Sequence, residues 1–572
     1  MDDAYQGLNR LPARSGGLMS FMSVERIIDG PWDVFEKTIL RMLIHTGWKQ
    51  VIHTGRSGDM GADIIGIDTR GRKIVLQCKF KRSTKSIGKS AVDELRNACD
   101  FYGTTYGIVA TNTSLSSTAL ERISQLSASG YKFLYWDGNR LMTQGENLEK
   151  WSANRYPLRD YQEEAVSAVF QNYANGNQRS LVEMATGLGK TIVLAEVAVQ
   201  LLLEDPDRKV LLLAHTLPLL KQLENAIWSQ IPSSIPTQLW SGNSKPTSFD
   251  GITVGMFQTV SSTIRSIPRD ELPEFDIVMV DEAHHTPAVT FSKALEAVGT
   301  DKILGVTATP WRGDGERLEA IFGEPVFKMG ILEGIERGFL SDIEYHMMLD
   351  NVNWLEVSSS SRRSYTIKDL NNRLFLPSRD EDLVDKVLKN WKKIGRPQTI
   401  TFCKRVEHAE NLQAIMNAVG ISSRILVGRD SLADRAKTLM DFRAGEFSNL
   451  IGVEMLNEGI DVPDVGLIIF ARVTHSRRIF VQQLGRGLRV KEGKDRVHVM
   501  DFVADIRRLA SGIQLNTNAR RRADSGVEFY RGRGANMVTF EQVVHESFVD
   551  EYLADVADLD EDQRITLNFI DP

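Results

Sequence analysis

Cysteine is nearly absent from this chain: Cys78, Cys99 and Cys403 are the only three in 572 residues, and they lie far apart. That spacing fits neither a disulfide framework nor a zinc site and leaves a reducing, cytoplasmic setting as the default. Long apolar runs are missing too. The opening MDDAYQGLNR has no apolar signal core, and the run at 191–203 is interrupted by Glu196 and too short to span a bilayer. No membrane association is expected. An excess of one charge is also lacking: the net charge is −6, so any nucleic-acid surface must be local. No fixed-period repeat or long low-complexity tract occurs. What remains is ordinary for a soluble globular chain, with 42% hydrophobic and 25% charged residues. The length allows about four domains.

The stretch at 180–203, SLVEMATGLGKTIVLAEVAVQLLL, organises the rest. Residues 181–184 read as a short buried strand and 185–189 as a turn of small residues. Lys190 and Thr191 open an apolar helix-forming segment. Strand, glycine loop, Lys-Thr and helix make the phosphate cradle of a P-loop nucleotidase. Gly187 and Gly189 leave room for backbone N–H groups to close on phosphate oxygens, with Thr186 and Leu188 completing the loop. The helix N-terminus adds positive dipole. Lys190 is placed to reach the β- and γ-phosphates of ATP, and the Thr191 hydroxyl to ligate Mg2+. Met184 stands where the full pattern has its first glycine. The competing reading is an ordinary strand–turn–helix with a chance Lys-Thr; later segments weigh against it.

Upstream, the first twenty residues read as a loose arm. Residues 31–47 read as a helix: Phe35, Ile39, Met42, Leu43 and Trp48 form an apolar stripe, and Glu36 sits in the first turn. Next come GRSGDMGADIIGID, TRGR and KIVLQCKFKR. The apolar stretches 64–67 and 74–76 flank a turn containing Gly71 and predict a β-hairpin. With the turn centred near 71, Asp63 falls opposite Lys79 and close to Gln77. Alternation puts Gln77 and Lys79 on one face and Cys78 on the other. A carboxylate, an amide oxygen and an ammonium then cluster at the strand ends. The first two can hold Mg2+, or Mn2+; the lysine can orient an attacking hydroxide and stabilise developing charge. Lys81, Arg82, Lys85 and Lys89 continue without acids, which suits phosphate contact.

This module resembles the PD-(D/E)xK nuclease superfamily, in particular its Mrr-like branch. The matching residues are Glu36 on the first helix, Asp63 in GDMGAD and Gln77-Cys78-Lys79 as the QxK variant. The resemblance runs on through the helical 91–98, the strand-like 106–110, and 114–126 to 133–136. It implies a restriction-endonuclease-like domain over 21–150, with Asp63, Gln77, Lys79 and Glu36 as its catalytic set. Glutamine in place of glutamate removes one negative charge and should weaken metal binding. The alternative is a hairpin in which Asp63 caps a turn and Gln77 and Lys79 face solvent.

Residues 151–156 read as a connector, and LRDYQEEAV opens a helix ahead of the P-loop. The strand FDIVMV delivers Asp281 and Glu282 to its C-terminal end, the Walker B arrangement. Asp281 would hold Mg2+ and Glu282 would polarise the attacking water. Strand and helix alternate again at 382–391, 398–402, 409–418 and 450–453, predicting a second parallel α/β lobe. In FVQQLGRGLRV, Arg486 and Arg489 lie three apart on a helix and share a face.

In this order the segments resemble superfamily 2 helicases, in particular the motors of restriction systems. The resemblance implies that Gln162 reads the adenine edge and Arg159 helps seat the base. His215 and Thr216, and Gln258 and Thr259, would meet the nucleic-acid backbone from strand-end loops. His284 would couple nucleotide state to the other motifs, and Thr307 and Thr309 would link hydrolysis to movement. Arg312 and Asp314 continue the pattern of restriction motors. Glu458, Gly459, Ile460 and Asp461 would contact nucleotide and strand. Gln482 and Gly485 accompany Arg486 and Arg489, which would reach across the interlobe cleft to the γ-phosphate.

The fold class is therefore α/β. A restriction-endonuclease-like domain is followed by two RecA-like parallel lobes (151–340 and 341–515) and a short C-terminal extension (516–572), in which 538–548 reads as a helix. The expected function is an ATP-dependent DNA helicase or translocase coupled to a metal-dependent endonuclease, in prokaryotic restriction or anti-phage defence. Its cofactors are ATP and Mg2+. Its partners are DNA and, as candidates, further defence-system subunits. The alternatives are a non-cutting, ATP-driven DNA sensor or remodeller whose N-terminal module only binds, and a repair or RNA helicase.

Overall fold

The structure is a computed structural model. It describes residues 21–54, 61–82, 85–242, 244, 246, 248–266, 273–285, 298, 300, 302–308, 318–347, 377–403, 405–453, 465–471, 496–502 and 538–540. Among these, no helix is long and apolar enough to cross a membrane.

The N-terminal domain is built on a mixed sheet in spatial order β1 (Lys49–His53), β2 (Ile64–Ile67), β3 (Lys73–Lys79), β4 (Tyr106–Thr111), β5 (Lys132–Trp136). The first three strands pair antiparallel and the last three parallel. Parallel neighbours need a crossover. Helices fill that role: α1 (Trp32–His45) precedes the sheet, α2 (Ser90–Tyr102) joins β3 to β4, and α3 (Ser117–Ala128) joins β4 to β5. Side-chain alternation divides the core. Ile74, Leu76 and Cys78 pack with Phe35, Ile39 and Leu43 of α1, whereas Ile65 and Val75 pack with Val92 and Leu95 of α2.

The β2–β3 hairpin closes one residue earlier than its glycine suggests. Asp68 accepts from the N–H groups of Arg70 (3.0 Å) and Arg72 (2.8 Å) and binds the Arg72 guanidinium, which sets the turn over 68–72. Ile64 therefore pairs with Leu76, and the Asp63 N–H donates to the Leu76 carbonyl at 3.0 Å. Asp63 stands across from Gln77, not Lys79.

Lobe 1 carries a seven-stranded sheet in the order β12-β6-β11-β10-β7-β9-β8, all of it parallel. Its strands are β6 (Arg179–Met184), β7 (Lys209–Ala214), β8 (Thr237–Trp240), β9 (Gly251–Met256), β10 (Ile277–Val280), β11 (Ile303–Thr307) and β12 (Pro325–Met329). The central strands β7, β10 and β11 are almost wholly buried, as a parallel sheet covered on both faces requires. Its longer helices are α4 (Asp160–Ala174), α5 (Lys190–Glu204), α6 (Leu217–Gln230) and α7 (Phe257–Ser266).

Lobe 2 has a second parallel sheet, β15-β16-β14-β17-β18-β13-β19. It comprises β13 (Asp342–Met347), β14 (Thr399–Cys403), β15 (Ser423–Leu426), β16 (Asn449–Val453), β17 (Leu467–Phe470), β18 (Arg496–Asp501) and β19 (Val538–Phe540), with α8 (Pro377–Lys393), α9 (Val406–Ala418) and α10 (Leu432–Arg443). Of the helix expected at 538–548, residues 538–540 are described and form β19 instead; 541–548 lie outside the described residues. The Val-Thr-Phe segment, β-branched and aromatic, pairs parallel with β13, so the C-terminal extension supplies a sheet-edge strand to lobe 2.

The N-terminal domain touches both lobes. Toward lobe 1, Arg41 of α1 is 1% exposed and donates to the carbonyls of Pro232 (3.2 Å) and Ile235 (2.9 Å) and to the Thr237 hydroxyl (3.4 Å). Its guanidinium lies 4.1 Å over the Phe21 ring. Toward lobe 2, Ala433, Ala436 and Met440 of α10 join the apolar cluster beneath α2, and the Asp441 carboxylate accepts from Lys73 at 3.2 Å.

Candidate active sites

In lobe 1 the chain leaves β6 at Met184, turns through 185–189 and enters α5 at Lys190. Gly187 (φ 96°) and Gly189 (φ 84°) take the left-handed backbone that glycine tolerates. The loop is seated on α4. Gln162 Nε2 and the Tyr161 hydroxyl each donate to the Leu188 carbonyl at 2.9 Å, and Gln162 Oε1 accepts from the Arg159 N–H at 3.0 Å. A Cβ on Gly189 would come within 2.6 Å of Gln162 Nε2. Gln162 thus shapes the phosphate loop in this state. Arg159 lies beside it, its guanidinium 5.9 Å from the Phe339 ring centre.

Four side chains then run from the loop to β11. Lys190 Nζ is 3.6 Å from Glu282 Oε1. Glu282 Oε2 is 3.5 Å from His284 Nδ1, which is 2.8 Å from the Thr307 hydroxyl. Glu282 has φ 50°, a conformation costly for a residue with a Cβ and one that clusters at functional sites. Burial, and then the Glu282 carboxylate, push the Asp281 carboxyl up to about 7, while Lys190 and the Glu282 N–H pull it back. A desolvated carboxyl beside a second acid gains from a divalent cation, so Asp281, with Thr191 on α5, fits Mg2+. The Thr186 hydroxyl is buried without a hydrogen-bond partner among the described residues, as a phosphate-facing group would be. His285 stacks on His215, ring centres 5.0 Å apart, and ties the β7 loop to the Walker B turn.

Thr216 is the N-cap residue of α6. Gln258 and Thr259 were expected in a loop; they lie instead in the first turn of α7, directly after β9. The hydroxyls of Ser262 and Thr263 donate to the Thr259 carbonyl. Gly459, Asp461, Gln482, Arg486 and Arg489 lie outside the described residues, as do Thr309, Arg312 and Asp314.

The second site lies at the open end of the β2–β3 hairpin. Asp63 Oδ2 accepts from Gln77 Nε2 at 2.8 Å and from the Cys78 N–H at 2.6 Å. Gln77 is 3% exposed, and its Oε1 is buried with no hydrogen-bond partner among the described residues. An acceptor-only oxygen left over beside a carboxylate fits a divalent cation. Lys79 Nζ stands 2.6 Å from Glu94 Oε2 on α2. Glu36 is buried on α1, 3.1 Å from His53 Nε2. Burial, and then the Asp63 and Glu36 carboxylates, push the Cys78 thiol well up and keep it protonated, so it is no nucleophile. The Lys81 ammonium is spent on the loop, donating to the Ser86 carbonyl at 2.8 Å, while Arg82, Lys85 and Lys89 are exposed.

Reading strands alone misses Glu94. The available signal was a pair of adjacent acids, Asp93 and Glu94, on the helix after QxK. Nothing local separates them, and the structure gives Asp93 to Arg122 at 2.8 Å.

Three family models match. "Restriction endonuclease" covers 29–143, "Type III restriction enzyme, res subunit" covers 155–312, and "Helicase conserved C-terminal domain" covers 380–491. The Schizosaccharomyces pombe protein named mitochondrial ATP-dependent helicase irc3 is 27% identical over 62% of this chain and 58% of its own. The Escherichia coli type I restriction enzyme EcoAI endonuclease subunit is 24% identical over 60% of this chain and 46% of its own. The chain thus spans about half the length of the curated relatives it matches. Among solved structures, the ATP-dependent type ISP restriction–modification enzyme LlaBIII bound to DNA aligns with 92% of this chain and 41% of its own. The TM-score is 0.53 and the identity 18%, a likeness of fold.

Proposed function

We propose, for a chain that joins a restriction-endonuclease domain to the two lobes of a superfamily 2 helicase, that ATP hydrolysis drives movement along DNA and that the N-terminal domain cuts phosphodiester bonds with a divalent metal. Prokaryotic restriction or anti-phage defence is the role that suits this pairing. The observation that carries the reading is the run Lys190, Glu282, His284, Thr307, which links the phosphate loop to the strand end where hydrolysis would become movement.

In the motor, Lys190 and the loop N–H groups hold the β- and γ-phosphates, and Glu282 takes a proton from the attacking water. His284 passes the position of Glu282 to Thr307. Mg2+, held by Thr191 and Asp281, would neutralise phosphate charge. Arg486 and Arg489 are assigned the arginine-finger role, worth roughly 10³–10⁵ in rate. In the nuclease, Asp63 and Gln77 Oε1 would hold a divalent ion, which lowers the pKa of water and polarises the scissile phosphate. Lys79 orients the attacking oxygen. The covalent fusion, and the contacts of the N-terminal domain with both lobes, support coupling between the sites.

The test is incubation of the full chain with Mg2+, with and without ATP, on modified and unmodified plasmid. Phosphate release stimulated by DNA, and cuts lost in Asp63→Ala, are expected. No phosphate release with any polynucleotide overturns the motor, and stimulation by RNA but not DNA makes it an RNA helicase. One observation favours a second reading, a non-cutting DNA sensor: Asp63 Oδ2 already accepts from two protein donors and Lys79 already has Glu94. Full biological activity of Asp63→Ala would decide for it.

A further inference from the structure

We propose that Glu94 is a positioning residue of the nuclease site: it holds the Lys79 ammonium where the reaction needs it and returns to the site the negative charge that Gln77 lacks. This rests on reading the N-terminal domain as a nuclease.

Three observations meet at Glu94. Lys79 Nζ is 2.6 Å from Glu94 Oε2, at the short end for a charge-assisted contact. The loop that delivers Asp63 is seated on the same residue. At Gly61 (φ 87°) an added Cβ would lie 2.8 Å from the Glu94 carbonyl oxygen and 3.2 Å from Glu94 Cβ, so only a glycine lets the chain pass this close. Finally, Asp63 is clamped by β3 itself, through Gln77 Nε2 and the Cys78 N–H. The aspartate is thus fixed by the strand and the lysine by the helix, and Glu94 is the residue at which loop, strand and helix meet. With it the site holds two carboxylates and one ammonium, the formal charge that a glutamate at position 77 would have provided.

The physical need is plain. A lysine head group rides on a four-carbon stem with many rotamers. Beside a bound divalent cation it is repelled, and without an anionic partner it would leave the site. The bland possibility is an ordinary surface ion pair, since the two side chains are 33% and 43% exposed. Kinetics separate the two.

The experiment compares the full chain with its Glu94→Gln, Glu94→Asp, Lys79→Met and Glu94→Gln/Lys79→Met variants on plasmid DNA with Mg2+ and ATP. ATPase rate serves as the control for folding. Positioning predicts that Glu94→Gln lowers kcat for cleavage about tenfold or more with KM for DNA unchanged, that Glu94→Asp recovers most of the rate, and that the double variant is no slower than Lys79→Met. A wild-type kcat in Glu94→Gln, or additive losses in the double variant, overturns the proposal. If the wild-type chain makes no cut, the nuclease reading fails. The hold on Lys79 is then read directly, from labelling of its amine by an N-hydroxysuccinimide ester and mass spectrometry. Faster labelling in Glu94→Gln supports the hold, and an unchanged rate removes it.

Discussion

Each of the two candidate sites sets a lysine against a glutamate beside an aspartate, yet they are held together differently. In the motor, Lys190 and Glu282 follow the C-terminal ends of β6 and β10, which flank β11 in one buried parallel sheet. Their side chains are 8% and 17% exposed. A parallel sheet sends every strand end to the same edge, so strand-borne motif residues have to converge there. In the nuclease, Lys79 is borne by a strand and Glu94 by the helix over it, and both are markedly more exposed. Burial does the positioning in the first site; a single charge pair does it in the second.

The largest expected effects test whether that difference matters. Lys190→Ala should reduce ATP hydrolysis by about 10³-fold or more, because Lys190 is the cationic side chain that opens α5 directly after the phosphate loop. The measurement is phosphate release with and without DNA. If the variant still cleaves every plasmid at the wild-type rate, the two sites work independently. Asp63→Ala should lower cleavage on the order of 10²-fold or more and leave ATPase within about twofold, since among the described residues the sites share no partner. A matching fall in ATPase would mean that the sites are one cooperative unit and would break the comparison.

The same contrast explains what could be read in advance. ATGLGK and DEAH are contiguous, and strand order brings them to one sheet edge, so Lys190, Glu282 and His284 meet there. The hairpin was legible but its register was not, because Asp68 rather than Gly71 closes the turn. Glu36, expected in the catalytic set, is buried on α1 and paired with His53. Glu94 depends on how α2 lies across β3, which no local pattern encodes. The strand at 538–540 depends on the open edge of β13 as well as on its own β-branched and aromatic residues.

Burial and charge part ways again where the N-terminal domain meets the lobes, and the two smallest predictions sharpen the point. Arg41→Met keeps the apolar stem but strands buried carbonyls at 232 and 235, so it should cost about 2–3 kcal/mol in chemical denaturation. Asp441 is the opposite case, a carboxylate ringed by Arg424 at 2.7 Å and by Lys73 and Lys437 at 3.2 Å each. Burial pushes its carboxyl up, but hydrogen bonds from Arg424, Lys437 and Lys73 outweigh this and hold it below the usual carboxylate range. A depressed acid stabilises the fold above its unfolded value, about 3.9, and that contribution disappears as pH falls through the lower folded value. Changes near neutrality should therefore do nothing. Because the three cations are 20–44% exposed, solvent screening limits the loss in Asp441→Asn to about 1 kcal/mol. The variant should differ from wild type at low salt, and less so at about 1 M, where charges are screened within roughly 3 Å. Identical denaturation curves at low salt would mean that the Asp441 charge cluster adds nothing to the packing of Ala433, Ala436 and Met440, and that burial governs this contact as well.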